Sequence, residues 1–294
     1  MAHTDAVVTG SFDGAHPRLA ACAHCASRTA NLTARHPRVD VLGVGISAVD
    51  PHMALDEITR WIENGERDYV CVTGVYGVME SQRDIVLRRA YNASGLSVPD
   101  GMPMVWAGHR AGAHWMRRVY GPDLMLTVLA RAAERGWSSF LYGGAPGVPE
   151  LLGEQLVARI PGLKIVGAYS PPFRSLTADE SDAVAAMINA SGADLVWVGI
   201  GAPKQELWMA EHRSSLDAHV LIGVGAAFDF HAGLKPQAPQ WMQRSGLEWT
   251  YRLATEPRRL WRRYLFNNPA YLGRIALHPP RLRPPVLQES PWNA

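Results

Sequence analysis

The chain has 294 residues, 47% hydrophobic and 19% charged, with a formal net charge of only +2. That length supports a substantial core with room for appendages, and the balanced charge sets up no global field of the kind nucleic-acid binders use, so no nucleic-acid partner is expected. Three cysteines, Cys22, Cys25 and Cys71, are too few for a disulfide framework.

Lysine occurs only at Lys164, Lys204 and Lys235, so arginine carries almost all the positive charge and a single arginine is weak evidence for a site. Cys22-Ala-His-Cys25 is half a metal knuckle, but no second Cys/His pair follows at suitable spacing, which favours free thiols. The N-terminus carries no apolar signal region. No stretch approaches the ~20 apolar residues of a spanning helix. The expected location is the cytoplasm, peripherally associated with the inner face of the plasma membrane.

Residues 1–38 are rich in Ala, His, Thr and Ser without periodicity and read as a flexible extension. Val41 to Ile46 reads as one strand. Asp50-Pro51 then caps a helix whose Leu55, Ile58 and Ile62 share a face, with Gly65 ending it. Tyr69 to Thr73 is a second strand, and a helix runs on through Tyr91. A short strand, Gly95 to Pro99, stops at Asp100-Gly101. Helix, strand and helix follow at Pro122 to Arg135, Trp137 to Tyr142 and Val148 to Ile160. Lys164 to Tyr169, a helix over Ala178 to Ala190, and two apolar strands tipped with glycine complete the series. Strands separated by helices of about a dozen residues predict an α/β, Rossmann-like fold, with a mostly parallel sheet covered by helices on both faces. The core is expected to span residues 39–245.

Beyond Ser245 the character changes. Trp249, Leu253, Leu260 and Tyr264 fall at helical spacing beside a stripe of Arg252, Arg259 and Arg263, and Pro257 predicts two short helices rather than one. Residues 246–278 thus form a C-terminal helical appendage. Its basic amphipathic face suits a membrane surface or an anionic substrate, and a solvated helix packed on the domain fits the pattern equally well. Residues 279–294 are proline-rich and read as a disordered tail.

The strongest chemical signal is Asp194-Leu-Val-Trp-Val-Gly-Ile-Gly-Ala-Pro-Lys-Gln-Glu-Leu-Trp208, a buried strand followed by glycines and a helix start. Free backbone amides and the helix dipole favour an anion there, with Gly201, Lys204 and Gln205 at hand. Val220 to Asp229 repeats the device and ends in a carboxylate. Asp100 follows a short strand, where open α/β sheets bind ligands; it reads either as a general base or as a cap on the next helix. Thr73 ends another strand, with ligand contact and plain β-propensity both open. Arg118 precedes a helix start, suited to a diphosphate. Gly43-Val-Gly45 is an incomplete dinucleotide fingerprint. No tandem Asp-x-Asp is present, which points to arginines rather than a divalent ion as counter-charge; no cofactor and no metal are expected.

Six segments in order resemble the WecG/TagA/CpsF glycosyltransferases of bacterial surface-polysaccharide synthesis. They are Val98–Trp106, Arg118–Met125, Phe140–Gly144, Gly199–Trp208, Gly223–Asp229 and Gly246–Arg252, and they span about Val39 to Asn268. The resemblance implies inverting transfer of a hexose or N-acetylhexosamine from a UDP-sugar to a polyprenyl-diphosphate-linked saccharide. It assigns the base to Asp100, with Thr73 and Arg118 beside it. Donor contacts fall on Gln205 and Asp229, and Lys204, Gly201 and Gly144 are added to the substrate-binding set. The appendage arginines that complete the site at the membrane fall on Arg252, Arg259 and Arg262. Thr73-Gly74-Val75 departs from the Thr-Pro-Asn of many members, which puts the N-acetylmannosamine donor in question. A NAD-dependent nucleotide-sugar epimerase or oxidoreductase and a non-catalytic assembly scaffold remain as alternatives, and a homo-oligomer is left open.

Overall fold

In the computed structural model, which describes residues 36–285, six strands form one parallel sheet in the order β4 (Leu96–Pro99), β3 (Asp68–Thr73), β8 (Val220–Gly223), β7 (Leu195–Gly199), β5 (Ser138–Gly143), β6 (Lys164–Tyr169). The chain first makes a hairpin, β1 (Arg38–Val41) and β2 (Val44–Ser47), then α1 (Pro51–Glu63), β3 (Asp68–Thr73), α2 (Val75–Glu80), α3 (Ile85–Ala93) and β4 (Leu96–Pro99). Next come α4 (Met102–Arg110), α5 (Gly121–Arg135), β5 (Ser138–Gly143), α6 (Val148–Arg159), β6 (Lys164–Tyr169) and α7 (Ala178–Ala190). The last part holds β7 (Leu195–Gly199), α8 (Lys204–His212), β8 (Val220–Gly223), α9 (Ala227–His231), α10 (Gln240–Arg244), α11 (Glu248–Thr255), α12 (Pro257–Leu277) and β9 (Arg281–Arg283).

The strands are apolar on both faces because both faces are covered. Alternate residues divide between two cores: Tyr69, Cys71, Val196, Val198 and Leu221 face one, and Val70, Leu195, Trp197, Val220 and Ile222 face the other. Helix starts follow the sequence signals. Asp50 accepts a bond from Met53 N at 2.8 Å with Pro51 beside it, and Thr177 with Glu180 forms a capping box on α7. The expected α/β fold, parallel sheet and C-terminal helices are all present.

Four local expectations need correction. The single strand over Val41 to Ile46 is a hairpin: Leu42 and Gly43 both take positive φ, 54° and 85°, the two-residue turn whose twist matches antiparallel strands. The helix through Tyr91 is two helices, because Asp84 caps a new start at Val86 and Leu87. Pro257 does not simply divide the appendage into two short helices. It sits in the first turn of the 21-residue α12, where its missing N–H is no loss, and α10 and α11 precede it. Residues 281–283, expected in the disordered tail, pair antiparallel with β1 as Leu282 meets Val39. The end of the appendage is therefore stitched to the start of the core. The extension over residues 1–35, with Cys22 and Cys25, and the tail from residue 286 lie outside the described residues.

What positions the site is the common direction of the strands. Their carboxyl ends bring Thr73, Pro99, Gly143, Gly199 and Gly223 to one edge of the sheet. After β5 the chain steps outward to β6, and after β7 it steps the other way to β8. Such a switch point opens a crevice above the strand ends.

Candidate active site

Two backbone bonds seat the central pair of side chains. The Asp100 amide donates to the Thr73 carbonyl at 2.8 Å, and the Val119 amide donates to the Pro99 carbonyl at 2.9 Å. Asp100 and Arg118 are thereby set side by side, with Arg118 Nη2 3.5 Å from Asp100 Oδ1. Asp100 is not a helix cap. The cap of α4 is Gly101, with φ of 85° and no side-chain bond, and Asp100 Oδ1 is buried without a hydrogen-bond donor. A desolvated carboxylate oxygen with unused lone pairs can accept a proton.

Arg118 is shared. Its Nη2 also donates to Glu248 Oε2 of α11, Nη1 reaches the Gln243 carbonyl at 3.4 Å, and the guanidinium lies 4.1 Å from the Tyr120 ring centre. Burial opposes its charge, but Asp100 and Glu248 together hold it above its ordinary value. Glu248 is pushed above the usual carboxylate range, by burial first and by Asp100 second. One arginine thus serves two carboxylates, one from the core and one from the appendage.

These groups line a cavity of about 690 Å³ between the ends of β3 and β4, helices α2 and α4, and the appendage. Arg252 and Arg263 join Arg118 on its wall. Arg263 lies 3.8 Å from the Tyr76 ring centre; burial lowers its pKa, and Arg252 nearby adds to that. Its Nε has no partner. Three half-buried arginines in one cavity, with the exposed Arg110 as a fourth, match a polyanion better than a neutral ligand.

The expected residues fall into two groups and a remainder. Asp100, Arg118 and Arg252 meet in the cavity. Gly144 and Gly201 follow the ends of β5 and β7 with φ of 76° and 83°, so their backbones can approach a ligand closely. Gln205 is buried against Gly223 and Gly225; its Nε2 donates to Glu206 at 3.0 Å while Oε1 is unpartnered. Lys204 is exposed on the first turn of α8. Asp229 pairs with Lys235 at 2.7 Å, and Lys235 reaches Glu256 of the appendage at 3.4 Å. None of this second group lines the cavity; Ala202, between Gly201 and Pro203, is where the two regions touch.

The remainder sits elsewhere. Thr73 is fully buried and its hydroxyl is engaged with Ser97 at 2.7 Å, so its contribution is the carbonyl that holds Asp100. Arg259 and Arg262 are exposed and off the cavity wall, because Arg259 pairs with Glu256 at 2.8 Å and Arg262 lies over the Trp261 ring at 5.2 Å. The stripe of Trp249, Leu260 and Tyr264 also turns inward: Leu260 is buried, and Trp249 and Tyr264 pack 6.0 Å apart on the cavity wall. The appendage instead exposes Trp261, Leu265, Phe266 and Leu277.

Sequence reasoning missed Glu248, Tyr76 and Lys235 as site residues, and it placed Arg263 in the stripe without assigning it a role. Glu248 lay inside the Gly246–Arg252 segment, which was the available signal. Glu206 is a further surprise: wholly buried, it is pushed up to about 7 by burial against the bond from Gln205. Among the described residues no three His, Cys, Asp or Glu converge as a metal site, and no helix is long and apolar enough to cross a membrane.

Residues 39–284 match the glycosyl transferase WecG/TagA/CpsF family. A relative from Bacillus spizizenii strain W23, an N-acetylglucosaminyldiphosphoundecaprenol N-acetyl-beta-D-mannosaminyltransferase, is 34% identical over 220 residues, covering 75% of this chain and 83% of the relative.

Proposed function

The chain belongs to the WecG/TagA/CpsF family of glycosyltransferases, which act in cell-envelope polysaccharide synthesis, and we propose that it transfers a hexose or N-acetylhexosamine with inversion from a UDP-sugar to a polyprenyl-diphosphate-linked saccharide. The family match leaves the NAD-dependent alternative without support. The observation that carries the reading is Asp100: its Oδ1 is buried, makes no hydrogen bond and lies 3.5 Å from Arg118, in a cavity whose wall also holds Arg110, Arg252 and Arg263.

In the proposed reaction the acceptor hydroxyl attacks the anomeric carbon of the donor. Asp100 takes the hydroxyl proton as the new C–O bond forms, and the bond from the anomeric carbon to the UDP oxygen breaks with its electron pair staying on the diphosphate. Arg118, beside Asp100, offsets the charge that develops on the departing diphosphate. The glycine-tipped ends of β5, β7 and β8, with Gln205, hold the uridine diphosphate. Glu248 keeps Arg118 from closing fully on Asp100, so the base retains a free oxygen. Arginines supply the counter-charge, and no divalent ion enters the reaction.

The activity named for the Bacillus spizizenii relative supports an undecaprenyl-diphosphate acceptor. Val75, in place of an asparagine, puts an apolar side chain on the cavity wall, which favours a donor other than N-acetylmannosamine. Peripheral attachment at the cytosolic membrane face belongs to the same reading: Trp261, Leu265 and Phe266 are exposed close in sequence to Arg258, Arg259 and Arg262.

A panel of UDP-sugars with a prenyl-diphosphate-linked N-acetylglucosamine acceptor, run with and without EDTA, tests this. Transfer from one UDP-hexose or UDP-N-acetylhexosamine, undiminished by EDTA, is expected. Full loss in EDTA that Mg²⁺ restores would overturn the metal-independent mechanism, and UDP-sugar binding without turnover on lipid acceptors would favour a scaffold.

A further inference from the structure

The cavity has a second half that the transfer chemistry does not use. Along α12 the side chains on its wall include Arg263, Asn267, Tyr271, Leu272, Ile275 and Ala276. Arg263, Asn267, Tyr271 and Ile275 follow one another at four-residue spacing with Leu272 and Ala276 beside the last two, so they share one helix face, which changes from cation through amide to apolar over about 20 Å. Met102, Trp106 and Ala107 of α4, with Arg110 at that helix's last position, form the opposite wall. The two helices are brought together where the Tyr271 hydroxyl donates to the Pro103 carbonyl at 3.4 Å. Trp106, whose ring edge lies against Gly246, and Leu272 line the cavity yet are 53% and 65% exposed, so much of their apolar surface is left uncovered.

Neither a sugar nor a nucleotide explains such a wall, since both present hydroxyls that need polar partners. A ligand with an anionic group at the end of a long apolar chain matches the gradient residue by residue. We propose that the groove between α4 and α12 takes up the isoprenoid units next to the acceptor's diphosphate, with that diphosphate on Arg252 and Arg263 of the appendage. The inference rests on reading the acceptor as a lipid-linked diphosphate. The first units of the lipid would then leave the bilayer for the protein, which carries the saccharide towards Asp100 at a fixed distance from the head group. Each buried methylene contributes roughly fourfold in affinity, so the groove makes chain length a measurable variable.

The test uses the full chain in solution without membranes or UDP-sugar. Binding of inorganic diphosphate, geranyl diphosphate and geranylgeranyl diphosphate, each below its aggregation limit, is followed by tryptophan fluorescence and by calorimetry. The expected order is geranylgeranyl, then geranyl, then inorganic diphosphate, with at least a tenfold gain from the shorter to the longer chain. Leu272→Asp and Ala276→Asp, both at exposed positions, should bring that ratio close to one and leave inorganic diphosphate binding unchanged. Phe266→Asp, exposed but off the cavity wall, should leave the ratio intact. Equal binding of the two chain lengths by the unaltered protein overturns the proposal, as does a chain-length gain that survives both groove variants. Failure of inorganic diphosphate to compete would overturn the head-group assignment. Failure of the transferase reading would appear separately, as absence of turnover in a protein that still discriminates chain length.

Discussion

Two regions at the same edge of the sheet are built in different ways. The crevice above β5, β7 and β8 is made of backbone: Gly144 and Gly201 with positive φ, and Gly223 so close to Gln205 that an added Cβ would lie 3.0 Å from its Nε2. The cavity above β3 and β4 is made of side chains, Asp100 and Arg118 from the core and Glu248, Arg252 and Arg263 from the appendage. The first is set when the sheet forms. The second is complete only when a segment more than a hundred residues later packs against Arg118. A site of the first kind binds a ligand in place, and a site of the second kind can be assembled around one.

That contrast can be broken or sharpened, and the largest effect is expected at the shared arginine. Arg118→Gln should lower kcat about a hundredfold or more, the scale for removing a group that stabilises developing charge, with UDP affinity held within a few-fold. Parallel loss of UDP binding would mean that the two regions are one site.

Glu248→Gln comes next. Because burial and Asp100 raise the Glu248 pKa, this carboxyl stays protonated at pH values where a free glutamate is ionised, and its grip on Arg118 develops as pH rises through the raised value. The unaltered enzyme should therefore show an acid limb above the ordinary carboxylate range. The variant should lose that limb and about tenfold in kcat, which rate profiles from pH 4 to 8 would reveal. An unchanged profile would remove Glu248 from the mechanism.

Gln205→Ala probes the other region. It should weaken UDP binding by about tenfold, the scale of one hydrogen bond to a charged or buried partner. Calorimetry with UDP, and with geranylgeranyl diphosphate as the control that should not move, would measure it.

The smallest effect on activity and a clear one on stability is expected at Glu206, beneath both regions. Its folded pKa of about 7 lies above the unfolded value, so the folded state binds the extra proton between them. The favourable contribution is fully present below the unfolded pKa and is lost as pH rises through 7, to the extent of about 3 kcal/mol. Glu206→Gln should consequently raise Tm at pH 8 and lose that advantage at pH 5. A Tm difference independent of pH would contradict the buried-acid account.

The same contrast explains what could be seen in the sequence. Backbone-built features leave local marks: the apolar run Leu195 to Ile200, the glycines after it and the helix start at Lys204 are contiguous, and all were legible. Asp100 was legible as a strand-end carboxylate, but choosing between base and cap needed the geometry of Gly101. The cavity wall depends on which face of α12 turns inward. Helical spacing grouped Arg252, Arg259 and Arg263, family resemblance pointed to Arg252, Arg259 and Arg262, and packing selected Arg252 and Arg263. Two cations on one helix differ only in the face they occupy, and Leu260 and Tyr271, buried against the core, decide which face that is. Strand β9 was missed for a related reason: Arg281-Leu-Arg283 has little strand signal of its own and is ordered by pairing with β1.

The most direct test of the central claim, that Asp100 is the base, is Asp100→Asn with UDP affinity and single-turnover rate measured on the same preparation. The account predicts UDP affinity within about twofold of the unaltered enzyme and a rate lower by about two to four orders of magnitude, the usual scale for a lost general base. A rate within a few-fold of the unaltered enzyme, with the protein folded and UDP bound, would contradict it.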